Sequence, residues 1–118
     1  MAYKSQNIQM IMQIIKEEIR NDISIQNVVC TAALNQPVNI ITFNKFKNLS
    51  INFELYQCGY VKDKTMVGRV TVFANGKLIS VGTKSTIQAK KELRKAIKIL
   101  QDYNFIKKVK IFPNVRNI

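Results

Sequence analysis

Residues 69–81 constrain this chain most. Arg69-Val-Thr-Val-Phe73 and Lys77-Leu-Ile-Ser-Val81 alternate in hydropathy and are joined by Ala74-Asn75-Gly76. Alternation at period two describes a half-buried strand, and Asn-Gly between two such runs describes a tight hairpin, since both residues tolerate positive φ. The hairpin places Val70 and Val72 on one face with Leu78 and Ser80. Thr71, Phe73, Ile79 and Val81 share the other.

The flanking segments add elements of both kinds. Ile8, Ile11, Met12, Ile15 and Ile19 recur at three and four residues, with Lys16, Glu17, Glu18 and Arg20 toward the other side, which predicts an amphipathic helix over 6–21. Asn21-Asp22 stops it. Residues 23–34 read as a β-branched strand, with Val28, Cys30 and Ala32 on one side and Asn27, Val29 and Thr31 on the other. Pro37 suits a first helical turn, and Val38, Ile41 and Phe46 would face inward from a short helix. Residues 47–53 give no clear pattern. A strand is expected over 54–62, before the polar turn Asp63-Lys64-Thr65.

After the hairpin, Gly82-Thr83-Lys84 leads into a helix over 86–102. Ser85 and Gln88 have capping-box spacing, the hydroxyl accepting an early amide while the glutamine reaches back. Ala89, Leu93, Ala96, Ile97 and Leu100 form its buried face; Lys90, Lys91, Arg94, Lys95 and Lys98 cover the other. A last strand is expected over 105–112, before Pro113. No segment repeats. The predicted order is a helix followed by β-α-β-β-β-α-β: an α+β fold, an antiparallel sheet of about five strands with helices on one face. Residues 1–22 read as a helical extension and 23–118 as one domain.

Composition narrows the chemistry. Nineteen Lys and Arg against seven Asp and Glu give a formal charge of +12 over 118 residues, with a pI near 10.0. A polyanion is the partner that such a charge suits. With no His, the commonest general base and metal ligand are missing, and no nucleophile–base pair or converging carboxylates replace them. The residues therefore predict no enzyme, no metal site and no cofactor. Cys30 and Cys58 lack CxxC spacing, which fits a reducing compartment. No run reaches the length of a membrane span, and no signal-peptide pattern opens the chain, so an intracellular protein away from membranes is expected.

Four segments, in order, resemble one repeat of the TATA-box-binding protein family. They are Ile25-Gln26-Asn27-Val28-Val29, Val70-Thr71-Val72-Phe73-Ala74-Asn75-Gly76-Lys77, Gly82-Thr83-Lys84-Ser85, and the basic helix that follows. The resemblance covers about residues 23–112. It implies a curved half-saddle sheet with two helices on its convex side, the concave side lying in the minor groove of A·T-rich double-stranded DNA. It implies groove-reading by Asn27, apolar contact by Val29, Ile79 and Val81, and intercalation by Phe73. Lys77, Lys84 and Arg69 are matched or neighbouring cations near the phosphate backbone. Tyr56 is the candidate for a second wedge. The resemblance further implies a role in transcription, a general transcription factor as partner, and a place in the nucleoid (or nucleus) and surrounding cytoplasm. The sequence departs from the family pattern at several points: the loop around the second wedge aligns poorly, the proline before that strand is absent, Val81 stands where a threonine is common, only one repeat is present, and the N-terminal helix is extra. A two-fold homodimer would restore a saddle.

The residues leave a rival reading open. The face carrying Val29, Phe73, Ile79 and Val81 is either a DNA platform or a second core layer, covered by a partner or by the N-terminal helix. In the second case the domain is a protein-interaction module. Asn27 can equally satisfy a strand edge, Ser85 is accounted for by capping alone, and the lysine stripe of the long helix reads as a solvated face.

Overall fold

Period-two patterning becomes a single antiparallel ladder. The computed structural model describes residues 28–54 and 57–117. Its strands are β1 (Val28–Ala33), β2 (Leu49–Ile51), β3 (Cys58–Val61), β4 (Arg69–Phe73), β5 (Lys77–Thr83) and β6 (Asn114–Asn117). They lie in the order β2-β3-β4-β5-β1-β6. This is the expected α+β half-saddle, a curved antiparallel sheet, with six strands where about five were predicted. The helix predicted over 6–21 and the first residues of the predicted strand 23–34 lie outside the described residues.

A 3-10 helix (Ile40–Lys45) and α1 (Thr86–Asp102) pack on one side of the sheet. There Ile40, Phe43, Leu93, Ala96 and Leu100 close over Cys30, Val70, Val72 and Leu78, all buried. This is the face parity that the alternation predicts. Cys30 lies deep in it, and burial pushes its thiol upward in pKa against the opposing pull of Lys90 and Arg94.

The hairpin is as predicted in position and differs in detail. The Gly76 N–H donates to the Phe73 carbonyl at 2.9 Å, and Gly76 alone in the loop has positive φ, at 95°. Asn75 instead uses its side chain, accepting the Lys77 N–H at 3.0 Å. A three-residue loop ending in a left-handed glycine needs only one such residue.

One irregularity sets the end of β5. Cys30 pairs with Ser80, yet two residues earlier Val28 pairs with Thr83 rather than Gly82. The extra residue on β5 is a bulge, and Gly82 carries positive φ there, at 94°. Thr83 thereby turns to the core side, where its hydroxyl donates to the Val28 carbonyl at 3.4 Å.

Helix α1 has the predicted bounds. Ser85 Oγ accepts the Gln88 N–H at 3.1 Å. The reciprocal half of the capping box does not form: Gln88 Nε2 donates forward to Glu92 Oε2 at 2.6 Å. Glu92 draws it, because this buried carboxylate also accepts the N–H groups of Val67 (2.8 Å) and Gly68 (3.0 Å). The helix ends with Asn104 at φ 63° and the Phe105 N–H on the Leu100 carbonyl, a left-handed C-terminal cap.

Three sequence expectations are corrected and one open stretch is assigned. Residues 105–112 form no strand; β6 begins after Pro113, at Asn114. Phe105 is held by distant partners, its ring against Phe43 and Phe46, and the backbone of Lys107 is satisfied by one side chain, Gln36, which both accepts its N–H (2.9 Å) and donates to its carbonyl (3.3 Å). Of the strand expected over 54–62, the described residues form Cys58–Val61. The helix after Pro37 is a 3-10 helix capped by Asn39, and Ile41 points outward while Ile40 and Phe43 are buried. Lastly, the unassigned stretch 47–53 contains β2.

Candidate functional site

The sheet side opposite α1 holds a second apolar cluster: Val29, Cys58, Phe73, Ile79 and Val81, with half-buried Tyr60 against it. Register explains why these residues meet. Cys58 stands opposite Phe73, Tyr60 opposite Thr71, Thr71 opposite Ile79, and Arg69 opposite Val81. Thr31 continues the Ile79 row on β1, and Asn114 continues it on β6. One row thus crosses the sheet from Ser50 to Asn114.

The structure brings four predicted contact residues, Val29, Phe73, Ile79 and Val81, into this one cluster. Arg69 lies at its border, its guanidinium carbon 4.0 Å from the centre of the Tyr60 ring. Tyr60 is fixed from a second direction, its hydroxyl accepting from Asn52 Nδ2 at 2.9 Å. Lys77 is exposed at the hairpin end, opposite Ala33, and Lys84 is exposed beside the helix cap. Asn27 and Tyr56 lie outside the described residues.

Sequence reasoning missed Cys58 and Tyr60. Their alternation about Gly59 was the available signal, and a four-residue strand is too short for it to declare a face. Gly59 itself has a packing reason, because a Cβ there would run into the Phe43 ring and the Ser50 carbonyl.

The cluster is closed to solvent. None of Val29, Cys58, Phe73, Ile79 and Val81 is more than 4% exposed, and Thr71 is fully buried among them. Exposure returns at the sheet margins, at Ser50, Ala33 and Asn114. The open apolar platform is therefore not what the folded chain presents.

The comparisons decide the family. The family model described as transcription factor TFIID (or TATA-binding protein, TBP) matches residues 22–103. The chain belongs to the TATA-binding protein family. A TATA-box-binding protein of Cenarchaeum symbiosum (strain A) is 38% identical over 94 residues, covering 78% of this chain and 52% of the relative. Among solved structures, Methanococcus jannaschii TBP superposes with a TM-score of 0.58 at 19% identity, covering 77% of this chain and 51% of that one; this likeness speaks for the fold. The chain spans about half the length of both TBP relatives. Within the TBP match, the apolar cluster and its cationic border come from the matched residues.

Proposed function

We propose that this chain is a non-enzymatic, transcription-related DNA-binding protein that uses the face of Val29, Phe73, Ile79 and Val81 against the minor groove of A·T-rich duplex. One observation carries the reading: these four side chains share one sheet face in a member of the TATA-binding protein family. An A·T minor groove presents acceptors only, so the Asn27 amide can donate to it, while flat apolar side chains lie where a guanine amino group would clash. Phe73 and Tyr56 are the candidate wedges; unstacking costs a few kcal/mol, offset by the wider contact that a bent duplex makes. In this reading Arg69, Lys77 and Lys84 neutralise phosphates at the margin. The working unit is a homodimer, two copies supplying by symmetry the two halves of a saddle, with a general transcription factor as further partner. In this reading residues 1–22 are an appendage to the repeat of 23–118, and the protein acts inside the cell, where its DNA is.

The burial of the same face favours a second reading, a protein-interaction module whose sheet is occupied by a partner or by its own N-terminal helix. Gel shifts on A·T-rich and G·C-rich duplexes over a salt series separate the two. DNA recognition gives steep salt dependence and A·T preference, both weakened by Asn27→Ala and Phe73→Ala in variants whose unfolding midpoints are measured alongside. Weak binding, equal for both duplexes and unchanged by either substitution, would replace it with the interaction module. Sedimentation over a concentration series tests the homodimer; a monomer throughout removes it.

A further inference from the structure

A buried face needs a cover. Both described helices pack on the other side of the sheet, and of the partly buried apolar residues only Tyr60 joins the cluster. Yet five side chains from four strands are closed off there while the margins stay exposed.

We propose that residues 6–21 are that cover: their apolar stripe of Ile8, Ile11, Met12, Ile15 and Ile19 docks on Val29, Phe73, Ile79 and Val81 and must leave before the face can meet another partner. Three features select this occupant. The first is reach. The cluster runs obliquely from Cys58 and Phe73 at the hairpin end to Val81 and Val29 at the other. Three strand spacings of about 4.8 Å and four residues of about 3.3 Å make a diagonal of about 20 Å. A helix over 6–21 would be about 24 Å long. The second is connection: the segment leads through residues 22–27 into β1, whose Val29 lies at one end of the cluster. Tethering makes docking intramolecular, with an effective concentration on the order of millimolar for a short linker. The third is charge. A second copy brings another +12, whereas residues 6–22 carry Glu17, Glu18 and Asp22, three of the chain's seven acidic residues, against only Lys16 and Arg20.

The cover itself follows from burial and sequence. Its regulatory meaning, that it competes with duplex for one surface, rests on the proposed function above. DNA binding then becomes a displacement, and any partner that captures the released segment would promote it.

The two cysteines provide the assay, because Cys58 lies in the covered cluster and Cys30 in the core beneath α1. Both are present as thiols. Modification of each by a maleimide reagent is followed by peptide mass in the 118-residue chain, in a mild Ile15→Ala variant and in an Ile11→Asp/Ile15→Asp variant. The proposal expects Cys58 to react faster in both, by about tenfold or more in the double variant, with Cys30 unchanged at least in the mild one. It is overturned if Cys58 stays protected in both, or if the two thiols accelerate in step in both, which would make the segment part of the global core. Loss of Cys58 protection on diluting the natural sequence would assign the cover to a second copy and overturn it likewise.

Affinity for an A·T-rich duplex is measured on the same samples. Tighter binding by the variant with exposed Cys58 supports competition. An exposed Cys58 with no gain in affinity overturns the DNA reading and leaves the cover standing.

Discussion

Gly68, just before β4, is joined to Glu92 of α1 by a 3.0 Å hydrogen bond from its N–H to Glu92 Oε1. Glu92 Oε2 accepts from Val67 at 2.8 Å, so one buried carboxylate holds two successive backbone donors. Gly68 must be glycine, since a Cβ there would enter the space of the Val81 carbonyl. The clamp therefore fixes the approach to β4 against the strand that carries Val81. Glu92→Ala strands both donors and should cost about 2–4 kcal/mol. Glu92→Gln keeps one acceptor but turns an amide donor toward a donor, and should cost less. Urea midpoints with unchanged slopes check both.

Ser80 gives the opposite sign. Its hydroxyl is buried on the core side with no hydrogen-bond partner. Ser80→Ala removes that polar atom and should leave stability unchanged or raise it by up to about 1 kcal/mol. A loss beyond about 1 kcal/mol in thermal or urea unfolding would contradict this account of the site.

Lys77 and Lys84 are exposed, and their replacement should scarcely touch the fold. Lys77→Ala and Lys84→Ala should each change stability by no more than about 0.5 kcal/mol. If they meet phosphates, each should also lower the slope of log affinity against log salt by about one, equally for A·T-rich and G·C-rich sequences. Titrations at several salt concentrations measure the slopes.

Asp63 supplies a pH dependence. Its Oδ1 accepts from the Thr65 hydroxyl (2.6 Å) and N–H (2.8 Å), and Lys95 Nζ lies 3.5 Å from Oδ2. The Thr65 hydroxyl foremost holds the carboxyl below its usual range; burial, the next effect, opposes it, and the Thr65 N–H and then Lys95 add to the lowering. Because the folded value is the lower one, the contribution to stability is complete above the unfolded carboxylate pKa of about 3.9 and is lost as pH falls through the folded value. Thr65→Val should remove part of it, narrowing the stability gap between about pH 6 and pH 2. Urea midpoints across that range should converge at the acid end.

What the sequence revealed depended on whether local pattern and tertiary use agreed. They agree at 69–81, where alternation and the turn residues jointly fix register, and at 86–102, where an apolar stripe and a serine cap mark the helix. The cluster of Val29, Phe73, Ile79 and Val81 was legible for the same reason, because strand parity needs no knowledge of what lies above. They disagree at 105–112: Phe105-Ile-Lys-Lys-Val-Lys-Ile-Phe alternates like a strand, yet Phe105 packs on Phe43 and Gln36 satisfies Lys107. A distant side chain standing in for a strand leaves no local trace. Cys58 and Tyr60 were missed because β3 is only four residues long, too short for periodicity to declare a face. Closure of the face was also beyond the pattern, which says that a surface is apolar and is silent on whether it is occupied.

The extra residue in β5, between the Cys30–Ser80 and Val28–Thr83 pairs, bears on how this chain can change in length. Elsewhere in a central strand, gaining or losing one residue would exchange inner and outer side chains along everything downstream. Near Gly82 the ladder already holds an odd residue, so a deletion there would leave Thr83 opposite Val28 on the core side and the register of Lys77 to Ser80 intact. Length variation among related sequences should therefore gather at this joint, where the strand hands over to the helix, and spare the ladder before it.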